Sequence, residues 1–121
     1  MRSKTVLIVE DDVKIREALR LALEQEGYTV LVASNGKEGL DACRIMPSLG
    51  LIFLDLMMPV MDGFEFLAAR KLDAKLSRIP VVIVSAFMDK MKELEAEGFL
   101  KKPFSLDDIF DLLNKYCPLQ D

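Results

Sequence analysis

Five residues could do chemistry together if the fold gathered them: Glu10, Asp11, Asp55, Ser85 and Lys102. The chain has no histidine, which excludes a Ser-His or Cys-His nucleophile pair and any His-ligated metal. Carboxylate, amine and hydroxyl chemistry remain. Two carboxylates about 4 Å apart repel by on the order of 4 kcal/mol at an effective dielectric near 20, so a cluster of three calls for a cation. An all-oxygen ligand set favours a hard ion, Mg²⁺ or Mn²⁺. Mg²⁺ takes one or two carboxylates plus phosphate oxygens, so such a cluster suggests a place where a metal and a phosphoryl group meet. Lys102 can hold a phosphate or pair with a carboxylate, and Ser85 can donate to a phosphoryl oxygen. An aspartate can itself be the covalent acceptor. Asp55, between the acidic pair and the lysine, is the best placed.

Those residues are useful only if the elements bring them together. Residues 5–10 (TVLIVE), 50–54 (GLIFL) and 81–84 (VVIV) read as continuously apolar strands buried on both faces. Residues 29–33 and 98–101 read as two further strands. Ile15, Leu19 and Leu23 recur at helical spacing between Asp12, a plausible N-cap, and Gly27, a plausible stop. Helices are also expected over 37–46, about 63–74 and 88–97. A last helix opens at Ser105 with Asp108 as a capping-box partner, and Leu106, Ile109, Phe110, Leu113 and Cys117 give it one apolar stripe. Five strand-then-helix repeats imply a parallel sheet with helices on both faces. With the flavodoxin-like order 2-1-3-4-5, strand order reverses between strands one and three. Ligands bind there, outside the strand carboxyl ends. Glu10, Asp11, Asp55, Ser85 and Lys102 all stand at such ends.

A chain of 121 residues and net charge −4 suits one soluble domain without a basic nucleic-acid surface. Cys43 and Cys117 show no framework spacing and read as small core residues kept reduced. No apolar run approaches the roughly 20 residues that span a bilayer, and a cytoplasmic location is expected.

VLIVEDDVKIR, LIFLDLMMPVMDG, VVIVSA and FLKKPF, in that order, resemble the successive motifs of response-regulator receiver domains over nearly the whole chain, 1–121. The resemblance implies that Glu10 and Asp11 hold the metal together with Asp55 and the backbone carbonyl of Met57. It implies that Asp55 is phosphorylated, that Lys102 contacts the phosphate, and that Ser85 and Phe99 switch with it. It also implies a cis Lys102-Pro103 bond. The expected activity is Mg²⁺-dependent acceptance of a phosphoryl group from a histidine kinase or histidine phosphotransfer protein, in two-component signalling. The domain would be a phospho-acceptor rather than an enzyme, assisting its own phosphorylation and dephosphorylation. Its downstream effector is not legible.

The chain departs from that family in places. Only 13 residues separate Ser85 from Phe99, so the fourth helix is expected to be short or displaced. Glu95 stands where the family often has glycine. Met57 and Phe87 are large and apolar, and are expected to slow acyl-phosphate hydrolysis. The alternative function is a receiver-like interaction module that works without phosphate. A flavin- or nucleotide-binding reading is disfavoured, because Glu10-Asp11-Asp12 repels phosphate and no glycine-rich phosphate loop occurs.

Overall fold

Runs of β-branched and large aliphatic residues with no polar alternation can be stable only inside a sheet covered on both faces, and that is where they lie. The computed structural model describes residues 4–46, 48–86 and 94–119. Strands β1 (Thr5–Val9), β2 (Thr29–Ala33), β3 (Leu51–Asp55), β4 (Val81–Ser85) and β5 (Gly98–Lys101) form one parallel sheet in the order β2-β1-β3-β4-β5. The inner strands β3 and β4 are buried throughout, and β1 from its second residue, whereas the edge strand β2 is largely part-exposed.

Helices α1 (Val13–Gln25), α2 (Gly36–Ile45), α3 (Gly63–Lys71) and α4 (Leu106–Tyr116) cover the sheet. Each begins at a side-chain cap. Asp12 accepts from the Lys14 and Ile15 amides, and Asn35 accepts from that of Glu38. Asp62 with Glu65, and Ser105 with Asp108, form reciprocal capping boxes. A helix cap of this kind is worth about 1 kcal/mol. Leu19 and Leu23 of α1 and Ile109 and Leu113 of α4 pack with Val6, Ile8, Phe53 and Val82 on one face. Leu40 and Cys43 of α2 and Phe66 and Leu67 of α3 pack with Leu7, Val9, Ile52 and Ile83 on the other. Each fully buried side chain of this size contributes roughly 1.5–3 kcal/mol. Cys43 and Cys117 lie in different clusters and are free, and burial pushes the Cys43 thiol up to about 11.

Some boundaries differ from expectation. Helix α3 stops at Lys71 rather than near 74, because the Asp73 carboxylate caps the Lys75 and Leu76 amides and turns the chain into a 3-10 turn, Leu76–Arg78. The expected helix over 88–97 does not extend through 94–97. There the Glu97 amide is committed to the Val81 carbonyl and the Ala96 amide to that of Leu94. The rest of that expectation, residues 88–93, lies outside the described residues, as does Phe87. The Lys102-Pro103 peptide is cis.

Candidate functional site

The carboxyl ends of β1, β3 and β4 lie side by side in this strand order, and the residues just beyond them meet. Glu10 follows β1, with its amide donating to the Ala33 carbonyl at 3.0 Å. Asp55 is the last residue of β3 and Ser85 the last of β4. Lys102 follows β5, its amide donating to the Ser85 carbonyl at 2.9 Å. Glu10, Asp11, Asp12, Asp55, Met57, Ser85 and Lys102 help to line one cleft of about 290 Å³.

Within it, one carboxylate oxygen each from Glu10, Asp11 and Asp55 lie within 4.8 Å of one another. Lys102 is the cation nearest to hand. Its ammonium donates to Glu10 Oε1 at 2.8 Å and stands 3.5 Å from Asp55 Oδ1. Glu10 Oε2 accepts from the Asp12 amide at 3.2 Å, and Asp55 Oδ1 accepts from the Leu56 amide at 2.9 Å. Glu10 and Asp55 are buried and Asp11 is exposed. Burial raises the Glu10 carboxyl above its ordinary value. The Lys102 hydrogen bond opposes that rise, while the neighbouring Asp55 carboxylate adds to it. Burial alone would lower Lys102, but its hydrogen bond to Glu10 and the Asp55 charge outweigh this and raise it. One ammonium against three carboxylates leaves a net negative cleft lined by oxygen donors. This donor set fits a hard divalent cation.

The floor of the site demands a glycine. A Cβ on Gly63 would fall 2.5 Å from the Asp55 carbonyl oxygen and 2.8 Å from Leu56 Cα. Without one, the Gly63 amide donates to the Leu56 carbonyl at 2.9 Å and α3 starts directly beneath Asp55. The loop between them turns sharply at Val60, where φ is 69° and the Met61 amide donates to the Pro59 carbonyl at 2.7 Å.

The expected site residues Glu10, Asp11, Asp55, Ser85, Lys102 and Met57 thus share one cleft. The Met57 side chain is 66% exposed. Phe99 does not line the cleft. It sits in β5 opposite Ile83, half-buried against the α2/α3 cluster. Lys101, the neighbour of Lys102, is exposed. Two contributors went unforeseen: the Asp12 amide on Glu10, and Arg16, which donates to the Glu10 carbonyl at 3.0 Å. An arginine on the first turns of a charged helix carries no signal in the sequence that it folds back.

The response regulator receiver domain family model matches residues 6–114. Among curated proteins, the chain is 36% identical over 126 residues to sporulation initiation phosphotransferase F of Bacillus subtilis, covering 99% of this chain and 98% of that one. It is 39% identical over 114 residues to the uncharacterized transcriptional regulatory protein YkoG of the same organism, covering 90% of this chain and 49% of the relative. The chain therefore spans about half the length of some curated relatives and nearly all of another. Among solved structures it resembles the chemotaxis response regulator CheY4 of Vibrio cholerae, with a TM-score of 0.86, 28% identity, and 94% and 98% of the two chains covered.

Proposed function

Because the chain belongs to the response regulator receiver domains, the phospho-acceptor modules of two-component signalling, we propose that Asp55 is its phosphoryl acceptor. Glu10, Asp11, Asp55 and the Met57 carbonyl would hold Mg²⁺. The observation that carries this reading is the convergence of three carboxylate oxygens and the Lys102 ammonium on one cleft. A bound Mg²⁺ ion would neutralise charge on the phosphoryl oxygens.

The chain's own groups do the rest. Leu56 and Lys102 hold Asp55 Oδ1, which leaves Oδ2 to form the new O–P bond. The P–N bond of a donor phosphohistidine breaks as that bond forms, and the imidazole leaves with the electron pair. Lys102 is near enough to both carboxylates to move from Glu10 toward the arriving phosphoryl group, and such preorganised charge is the main lever on phosphoryl transfer. Ser85 would donate to a phosphoryl oxygen. Phe99, on the neighbouring strand, would respond with it. Only a contact better made in one conformation than another shifts a population.

The donor, a histidine kinase or phosphotransfer protein, needs a surface beside the cleft. An apolar groove of about 520 Å³ shares Ile15, Ala86 and Lys102 with it and continues over Ala18, Pro103 and Phe104. Its apolar lining suits a helix of the donor laid against α1. Among the described residues no helix is long and apolar enough to cross a membrane, which accords with a domain acting in the cytoplasm.

Incubation with acetyl phosphate and Mg²⁺, followed by intact mass, tests the assignment. The wild-type chain is expected to gain one phosphoryl group and Asp55→Asn none. Equal labelling of both would remove Asp55 from the role.

A further inference from the structure

The turn that carries the acidic pair is held at several points, and one of them is a side chain outside the cleft. Strand β2 ends at Ala33, so the Glu10 carbonyl has passed the end of its sheet partner. Arg16 supplies a donor instead, Nη1 to the Glu10 carbonyl at 3.0 Å. The Asp12 amide is tied to Glu10 Oε2, and the Asp12 carboxylate caps α1. Asp11 differs: no hydrogen bond or ion pair is found for its carboxylate among the described residues. Yet that carboxylate reaches within 4.8 Å of those of Glu10 and Asp55. What aims it is its own backbone, and the peptide joining Glu10 to Asp11 is oriented through the carbonyl that Arg16 grips.

Arg16 is held in place at a cost. Its Nε is buried with no partner, a loss of about 1–3 kcal/mol for a stranded donor. A stranded buried polar atom invites an explanation beyond packing. Its guanidinium does not line the cleft. The Glu38 carboxylate, held down mainly by its Ser34 donors, also feels the Arg16 charge, and Glu38 lies on α2, which follows β2. Arg16 thus works on the β2 side of β1, while Asp55 stands on the β3 side.

We propose that Arg16 is a positioning residue for cation uptake. By holding the Glu10 carbonyl it aims the Asp11 carboxylate at the ion, and it touches neither the ion nor the phosphoryl group. This rests on the reading that Glu10, Asp11 and Asp55 hold Mg²⁺. The proposal opposes simple electrostatics. Removing a positive charge near a cation site should tighten binding slightly, whereas removing a positioning group should weaken it.

Calorimetric titration of the full chain with Mg²⁺ separates the two, with melting curves recorded for every variant. Arg16→Met is expected to bind about tenfold more weakly, the usual scale for losing a group that orients a ligand. Arg16→Lys, which keeps the charge but reaches less far, is expected to fall between. Arg20→Met removes the same charge from the same helix and is expected to bind within about twofold of wild type, because among the described residues Arg20 pairs with Glu17 and Glu24, away from the acidic turn. Binding by Arg16→Met as tight as wild type or tighter would overturn the proposal. Should Arg16→Met fail to fold, Arg16→Lys decides: weaker binding supports the proposal and unchanged binding overturns it. A wild-type chain that takes up no Mg²⁺ would sink the metal reading and this inference with it. A wild type that binds, beside an equal Arg16→Met, would sink this inference alone.

Discussion

Glu10 is asked for two incompatible things, and the conflict sets the pH behaviour of the site. Burial favours its neutral form, and so does the Asp55 carboxylate beside it, while Lys102 favours the ionised form without winning. The native state therefore holds the Glu10 proton more tightly than the unfolded chain does. In the absence of metal, this contribution to stability is fully present below the ordinary value of 4.5 and is lost as pH rises through the higher native value. Metal binding has the opposite sign, since a ligating carboxylate must be ionised. Mg²⁺ affinity is expected to fall on acidification while ordinary surface carboxylates are still charged, above 4.5. Calorimetric titrations between about pH 5 and pH 7.5 would follow this. Glu10→Gln should bind more weakly throughout and lose that early step, leaving only a decline within the ordinary carboxylate range. A wild-type affinity that stays flat until that range would show that Glu10 is ionised without difficulty and that burial does not govern it.

At the scale of elements, the β3–α3 loop is where the fold accepts strain. Val60 is β-branched, 77% exposed, and the only described residue other than glycine with a positive φ. The hydrogen bond from the Met61 amide to the Pro59 carbonyl closes a three-residue γ-turn around it, a rare and strained conformation at that sign of φ. Such a residue costs on the order of 1–3 kcal/mol. Its side chain, out in solvent, returns little packing. Val60→Gly is expected to raise stability by about 0.5–1 kcal/mol, the relieved strain less the extra chain entropy of glycine. A melting midpoint at or below that of wild type would mean that the turn is held without cost. The loop also marks a limit of legibility. Asp62-Gly63 is readable as punctuation after β3, but the reciprocal Asp62–Glu65 cap is easily passed over there, although the same device at Ser105–Asp108 stands out ahead of a clean apolar stripe. The strands were legible because β1, β3 and β4 are apolar without interruption. Asp55, Ser85 and Lys102 were legible because strand ends in a parallel sheet share one edge. Arg16 was not, since its partner is a backbone carbonyl, and backbone leaves no trace in residue type.

Across the whole molecule the two ends of the sheet divide the work, and a buried arginine, Arg70, lies at the end away from the cleft. Arg70 occupies the core-facing stripe of α3 with Gly63, Phe66 and Leu67, a place arginine seldom takes unless it is paired. It is 6% exposed. Its guanidinium donates to the carbonyls of Ser77, Ile79 and Glu95 and pairs with Glu97 at 2.8 Å. Glu97 in turn accepts from the Val81 amide at 2.7 Å, and its carbonyl accepts from the Tyr116 hydroxyl. One cluster thus ties α3, the starts of β4 and β5, and the end of α4, with partners up to 27 residues apart in sequence. Breaking a buried pair costs about 3–5 kcal/mol. Because Glu97 keeps 40% of its side chain exposed and can rehydrate, the lower end applies. Arg70→Met, which keeps the aliphatic stem but strands three carbonyls, is expected to lose about 3 kcal/mol and to lower the melting midpoint by roughly 10 °C. Below that midpoint, acetyl phosphate labelling per folded molecule should match wild type, since the acidic cleft lies at the opposite ends of the strands. Should labelling slow while the protein remains folded, the clamp would be coupled to the cleft along β4 and β5. The amino-terminal end of the sheet would then belong to the switch.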